Sequence, residues 1–500
     1  MSLKDFGLDV AAAPTARDAR MATPTTTTPD QPAPAARTPD RDGFVERIRA
    51  GGDALQDLHD RIHRTGRTPT ALVFSDMDVD GITSHTILRA ALQRIGFAVT
   101  PLFSKKFSDD HLRQMLESDH DLLVITDHAA PERATFGDRN VLVIDHHKPP
   151  DPGGDHSHQL HPMLYGLNGS TEICSAGIGY LLARSIDARR NSDLSALGVI
   201  GSAGDMMDHE GGRFVGLTRS DVVADAERLG LVERYTDIRL YGRHGRTLTQ
   251  LLCYADDPGF QGLSRNMDAC RDFLMAQGLN PEDRWCHLDT ATRQRLVGLL
   301  LERATHPVRL LGEVCELKRE PVGGHLRDVR EFATVINGSS RYEMPEPVVA
   351  VLLGDRGRHY ETALDNYLNH KRNIVNAIRL VGELGVTQGT HLQWFHVEAL
   401  VRHTIVGSVA GAVQSRHDPD KPMIAFAYEA DDLEHTKVSG RGNRRLCERG
   451  LDLSEVMREA AAAQGGKGGG HDVAAGATIP RGREAAFLEH AEAILGRQMR

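Results

Sequence analysis

The chain lacks an excess of basic residues: 59 Lys and Arg stand against 69 Asp and Glu, a formal net charge of −10 over 500 residues. A broad surface that wraps duplex nucleic acid needs a positive field for the phosphates, so this balance speaks against one. It remains compatible with a narrow groove leading to a centre built from acidic groups. Aromatic residues are scarce too, at 5%, so any nucleic-acid partner should be held more by its backbone than by stacked bases. The 6 cysteines (Cys174, Cys253, Cys270, Cys286, Cys315, Cys447) include no CxxC pair. This argues against a zinc knuckle and against a disulfide framework, and points to reduced, mostly buried thiols. No run of about eighteen apolar residues exists to cross a membrane. The amino terminus has no basic segment leading into an apolar one, so a cytoplasmic location without a secretory leader is expected.

What is present is an ordinary globular composition, 40% hydrophobic and 26% charged, long enough for several cores. The first part is Thr-, Pro- and Ala-rich and cannot bury enough apolar surface to offset its ordering entropy. Residues 1–42 are therefore expected to form a disordered tail, with either Met1 or Met21 as the start. Short apolar runs then alternate with helical periodicity. Runs at Ala71–Phe74, Phe97–Phe103, Leu122–Ile125 and Val141–Ile144 surround helices at Ile82–Ile95 and Asp110–Glu117. This pattern predicts an α/β fold with a parallel sheet over residues 43–215. Further helices are expected at Cys174–Ile186 and Asp193–Gly204. Residues 216–385 read as a mostly helical insertion and connector, with a long helix from Tyr360 to Leu384. A smaller α/β domain is expected over 386–500, with a Gly-rich loop at Gly465–Gly470.

Four segments carry chemistry. They are Asp76-Met77-Asp78-Val79-Asp80-Gly81 after the first strand, Thr126-Asp127-His128, Asp145-His146-His147, and Gly204-Asp205. The first string is not an EF-hand loop, because its twelfth position is Ile87 rather than Glu. Asp76, Asp127 and Asp145 all stand at carboxyl ends of strands, the edge where open α/β sheets place ligands. Carboxylates gathered there repel one another unless their pKa values rise or a multivalent cation neutralises them. A set rich in oxygen with an imidazole suits Mn²⁺ or Mg²⁺ better than a thiolate-seeking metal. Two such ions about 3.5–4 Å apart can support in-line attack on phosphorus.

These segments resemble the four motifs of the DHH phosphoesterase superfamily, named for the Asp-His-His found here at 145–147. The resemblance implies two divalent ions, Mn²⁺ preferred or Mg²⁺, with Asp76, Asp78, Asp127, His146 and Asp205 as ligands and Asp127 bridging. It implies that His147 acts near the scissile phosphate and that Asp145 orients a neighbouring imidazole; Asp80 is the least defined of the set. Small-substrate members carry a ligating His four residues before the first Asp, where this chain has Leu72. The chain is similar in this to the RecJ-type exonuclease branch.

Gly468-Gly469-Gly470-His471 resembles the GGGH signature of the DHHA1 domain that accompanies many DHH domains, here following Lys437–Arg441 and a helix in the family order. His403–Gly407, Asn337–Arg341 (NGSSR), Asn369 and Arg372 are similar to RecJ-like chains as well. The resemblance assigns substrate contacts to Arg441, Gly469, Gly470, His471 and His403, with Arg444, Arg445 and Lys467 able to extend a positive track. It implies an exonuclease on single-stranded DNA or RNA, without a nucleotide cofactor. The layout resembles archaeal RecJ-like proteins that associate with GINS, so a replication or repair partner is expected. Two other readings stand beside it: a phosphodiesterase for short oligoribonucleotides or cyclic dinucleotides, and a non-catalytic replisome scaffold.

Overall fold

A computed structural model describes residues 38–147, 154–414, 416–429, 432 and 434–499. Of the expected tail, residues 1–37, including Met21, lie outside the described residues, whereas Arg41 and Asp42 already belong to a helix. The chain divides into two compact units, Met1–Ala363 and Leu364–Arg500. Among the described residues no helix is long and apolar enough to cross a membrane.

The first unit opens with α1 (Arg41–His63), capped by the Asp40 carboxylate. There follow β1 (Thr70–Ser75), α2 (Val79–Ile95), β2 (Ala98–Phe103), α3 (Asp109–Glu117), β3 (Leu122–Thr126), β4 (Val141–Ile144) and β5 (Gln159–Leu160). The strands form one parallel sheet in the order β2-β1-β3-β4-β5. Strands β1 and β3 are apolar almost throughout because helices cover both faces. One face packs Leu72, Phe74, Leu123, Ile125 and Val143 against Met115 of α3 and Phe136. Helix α2 packs on α4 (Ser175–Ile186) and α5 (Ser195–Gly204), and α4 also packs on α1. The chain leaves β1 toward β2 and returns on the other side as β3, so the switch point lies between β1 and β3. Open sheets bind ligands in the crevice above such a point.

The segment after α5 carries helices and, in addition, two strands that its composition did not reveal. Two strands, β6 (Val232–Ile238) and β7 (Leu311–Leu317), pair antiparallel, Val232 opposite Leu317. Between them stand α6 (Leu248–Cys253), α7 (Met267–Ala276) and α8 (Thr290–Leu301), closed over a separate core around Trp285. The sequence VERYTDI hides its strand because charged residues break the alternation and its partner is remote in the chain. Of those charges Asp237 joins a buried network. Arg243, 2% exposed, reaches Asp237 at 2.9 Å, Asp328 at 2.5 Å and Glu316 at 3.5 Å. His244 Nε2 lies 2.9 Å from Glu316, and the Glu331 carboxylate accepts from the backbone N–H groups of His244 and Gly245. Asp328 caps α9 (Val329–Ser340), which precedes α10 (Pro345–Leu352).

Helix α11 (Arg358–Leu384) runs into the second unit. There β8 (Thr387–Gln388), β9 (Gln393–His396), β10 (Met423–Tyr428), β11 (His435–Arg441), β12 (Lys467–Gly470) and β13 (Ala474–Pro480) form a mixed sheet, order β12-β13-β11-β10-β9-β8. Part of α11 and α12 (His403–Gln414) share a core with β9 and β10. A second core holds α13 (Leu453–Ala462) and α14 (Glu484–Gln498). The expected Gly-rich loop is largely an edge strand, since Lys467–Gly470 pairs with β13. Absent side chains permit this: a Cβ on Gly468 would stand 2.2 Å from the Met457 carbonyl oxygen of α13.

Candidate metal centre

The turn after β1 carries the first donors. Asp76 follows the strand directly, and the Asp78 carboxylate accepts from Gly81 N at 2.9 Å as the cap of α2. Asp80, 1% exposed, accepts at 2.8 Å from the backbone N–H groups of both Ser175 and Ala176. Its carboxylate thereby occupies the amino end of α4, where the helix dipole favours negative charge. Asp127 follows β3 with φ of 60°, a left-handed conformation that Asp tolerates better than most residues. Its Oδ1 accepts from Ser175 Oγ at 3.0 Å, while its buried Oδ2 has no hydrogen-bond partner among the described residues.

After β4, His146 Nδ1–H donates to the Gly169 carbonyl at 2.7 Å. This fixes the tautomer and aims Nε2 at the acidic groups, 3.4 Å from Asp127 and 3.6 Å from Asp80. His147 is 45% exposed and donates through Nδ1–H to Asp145 at 2.8 Å, which leaves Nε2 available. Asp205 closes α5, its Oδ2 at 3.8 Å from His146 Nδ1. Gly204 allows that approach, for a Cβ there would stand 2.2 Å from Val79 of α2. Among the described residues three donor triads have ligand atoms within 4.8 Å of one another: Asp76, Asp78 and Asp127; Asp127, His146 and His147; Asp80, His146 and Asp205.

The electrostatics fit a multivalent cation. Burial, then Asp78, pushes the Asp76 carboxyl up to about 7. Burial, then Asp80, does the same to Asp205, also to about 7 despite His146. Asp127 is driven well above the ordinary carboxylate range by burial and by Asp78 and Asp80. Burial opposes charge on His146, yet its hydrogen bond to Asp127 and the fields of Asp80 and Asp205 hold its pKa well above normal. Asp145 behaves in the opposite way: burial works against it, but His147, His161 and His146 keep it at about 2. It sits behind His147, whose pKa it raises. Asp76, Asp127 and Asp205 have raised pKa values for want of positive charge, and among the described residues Asp127 Oδ2 lacks a partner that a divalent ion would provide.

Two neighbours escaped the sequence reading of the ligand set. Arg341, at the carboxyl end of α9, lines a cavity of about 410 Å³ together with Asp78, Tyr241 and Asn337. Among the described residues its buried Nε has no hydrogen-bond partner, and burial lowers its pKa against the pull of Asp78 and Asp76. Arg330 clamps Asp208 with contacts of 2.7 and 3.0 Å, tying α9 to the loop after Asp205. The NGSSR string contained the signal for Arg341, but nothing local showed that it stands beside Asp78.

The substrate contacts expected near the carboxyl end all lie in the second unit. Arg441 ends β11 opposite Ala474, so it shares one end of the sheet with the Gly470–His471 turn. Its guanidinium rests on α12 at Gly407, one turn beyond His403. Gly469 faces open space, and His471 is exposed. Arg444 and Arg445 stand near Glu448 and Asp420, at 3.8 and 3.5 Å, on the surface. Asn369 and Arg372 bond to each other along α11.

Residues 70–200 match the DHH family, N-terminal domain; residues 240–309 match the DHH-CID domain; residues 393–497 match the DHHA1 domain. The chain belongs to the DHH superfamily. This superfamily consists of metal-dependent phosphoesterases, and the present member is RecJ-like. An uncharacterized protein of Methanocaldococcus jannaschii is 26% identical over 437 residues, covering 86% of this chain and 94% of that one. The single-stranded-DNA-specific exonuclease RecJ of Bacillus subtilis is 23% identical over 194 residues, covering 36% of this chain and 25% of its own. RecJ of Thermus thermophilus in complex with Mn²⁺ shares the fold at a TM-score of 0.56 and 16% identity, over 90% of this chain and 55% of that one. CDC45 of Entamoeba histolytica does so at 0.62 and 11% identity, over 90% and 99%.

Proposed function

We propose that this DHH protein is a divalent-metal-dependent exonuclease that removes nucleotides from an end of single-stranded DNA or RNA. The observation that carries the reading is the buried guanidinium of Arg341 beside the acidic donors, a phosphate-binding group next to cation ligands. Two ions, Mn²⁺ or Mg²⁺, would be held by Asp76, Asp78, Asp127, His146 and Asp205, with Asp127 common to both and Asp80 close by. When bound, such ions neutralise phosphate oxygens and make water a stronger nucleophile. The protein's own groups do the rest. Arg341 orients the phosphodiester and offsets charge as it develops. His147, steered by Asp145, presents Nε2 to deliver a proton to the departing oxygen. Arg441, His403 and the Gly469–His471 turn hold the strand through its phosphates. The sequence likeness to the Bacillus enzyme supports a single-stranded substrate.

Digestion of end-labelled DNA and RNA strands in Mn²⁺ tests the proposal. Mononucleotide release that requires Asp127 supports it, and preferential turnover of dinucleotides would replace it with the small-substrate reading. The likeness to CDC45 favours a second reading, a binding protein without hydrolysis that joins a replication or repair partner such as GINS. Metal-replete protein that cleaves no strand while capturing such a partner would establish it.

A further inference from the structure

The cavity beside Asp78 and Arg341 has an aromatic wall that the reaction leaves unused. Tyr241 lines it and adjoins Arg246, which with Tyr254 lies outside the lining. The Arg246 guanidinium lies 4.8 Å from the Tyr241 ring and 5.2 Å from the Tyr254 ring. Its Nη1–H donates to the Tyr241 carbonyl at 3.2 Å. The backbone is shaped for this passage. Gly242 has φ of 100°, and a Cβ on it would stand 2.4 Å from Arg246 Cδ. Only glycine both adopts that conformation easily and lets the arginine stem lie flat against the chain. At the outer end Tyr254 is 55% exposed, a large ring turned to solvent just beyond α6. The acidic residues next along the chain are paired: Asp256 with Arg265 at 3.1 Å and Asp257 with Arg309 at 2.5 Å.

We propose that Tyr241, Arg246 and Tyr254 form a stacking platform that carries the bases of a single strand across the segment 240–309 as the strand enters or leaves the cavity beside Asp78. This rests on the proposed function and assigns the segment a part in it. Planar rings and a guanidinium stack on any base, so the platform tolerates sequence, while Arg246 keeps a positive charge for the phosphates. An aromatic path of this kind gives an acidic protein a grip on single strands that duplex cannot share, because paired bases present no free faces.

The test uses the full chain with Ca²⁺ in place of Mn²⁺ and twenty-nucleotide strands carrying one 2-aminopurine at successive positions. Stacking quenches that fluorophore. Quenching is expected at a fixed distance from one end, to vanish in Tyr254→Ala and to persist in Tyr254→Phe. The Tyr254→Ala dissociation constant for the strand should rise by between about 5-fold and about 150-fold, the span of base–aromatic stacking. Its ratio of KM for long strands to KM for dinucleotides should rise with it. Position-independent quenching, or equal loss of binding in both Tyr254 variants, would overturn the platform. If Mn²⁺-loaded protein digests strands without Tyr254-dependent quenching, the platform fails and the exonuclease stands. If it digests nothing yet shows the quenching, the exonuclease fails and the platform stands.

Discussion

Replacing Arg243 by Met should loosen the whole β6–β7 segment while leaving the parallel sheet intact. The guanidinium is 2% exposed and serves Asp237, Glu316 and Asp328 at once. Methionine fills comparable space but leaves those buried carboxylates without their shared cation. Breaking a buried ion set by removing one partner costs about 3–5 kcal/mol. At about 4 kcal/mol, local opening becomes roughly a thousand times more frequent, each factor of ten being about 1.4 kcal/mol. Because the chain has two units, hydrogen–deuterium exchange is a better assay than a global melt. Backbone amides of β6, β7 and the first turn of α9 should exchange roughly a thousandfold faster, while those of β1 and β3 hold. Adding Asp237→Asn and Asp328→Asn removes two orphaned charges and should recover part of the protection. Acceleration below about fivefold, or a further loss in the triple variant, would refute the reasoning.

His244 gives the same network a pH dependence. Burial lowers its pKa, but Cys286 and Glu316 prevail and raise it to about 9. A histidine whose folded pKa lies above its unfolded value stabilises fully below about 6.5 and loses that contribution as pH rises through about 9. The difference in exchange protection between wild type and His244→Gln should therefore be large at pH 6 and fade by pH 10; a constant difference would disprove the link. Asp127→Ala should nearly abolish hydrolysis, raise the melting temperature of metal-free protein by relieving repulsion, and remove its response to Mn²⁺ in differential scanning fluorimetry. Arg341→Ala should lower kcat/KM by about 100- to 1,000-fold in strand digestion, as loss of a preorganised donor to developing charge does. Mn²⁺ affinity by calorimetry should change little. Gly468→Ala should destabilise the second unit by about 1–3 kcal/mol, because it overpacks against Met457. Gly469→Ala, facing open space, should leave the unit's melting temperature nearly unchanged.

The parts of the molecule legible in the sequence are those whose signal is local. ALVF, LLVI and VLVI are short, apolar and followed by Asp, so strand, edge and chemistry coincide within a few residues. The α/β class followed from them. Tertiary facts were not legible. Asp80 looked like one more acidic residue, because the amides of Ser175 and Ala176 that it binds lie far along the chain. In strands β6 and β7 charged residues interrupt the alternation, among them Asp237 and Glu316 of a buried network drawn from remote parts of the chain, so periodicity gave no strand signal. The GGG run read as a loop from composition, whereas its close contact with α13 makes it an edge strand. The proximity of Arg341 to Asp78 depends on how α9 lies, which no window of sequence contains.

Asp80 faces His146 on one side and fastens the start of α4 on the other, so mutational drift acts unevenly on the acidic set. A descendant with no need to bind metal could exchange Asp76 or Asp205 for neutral side chains and relieve crowding. Exchanging Asp80 would unseat a core helix. Within such a lineage this aspartate should outlast its neighbours, a remnant of the acidic set kept for architectural reasons.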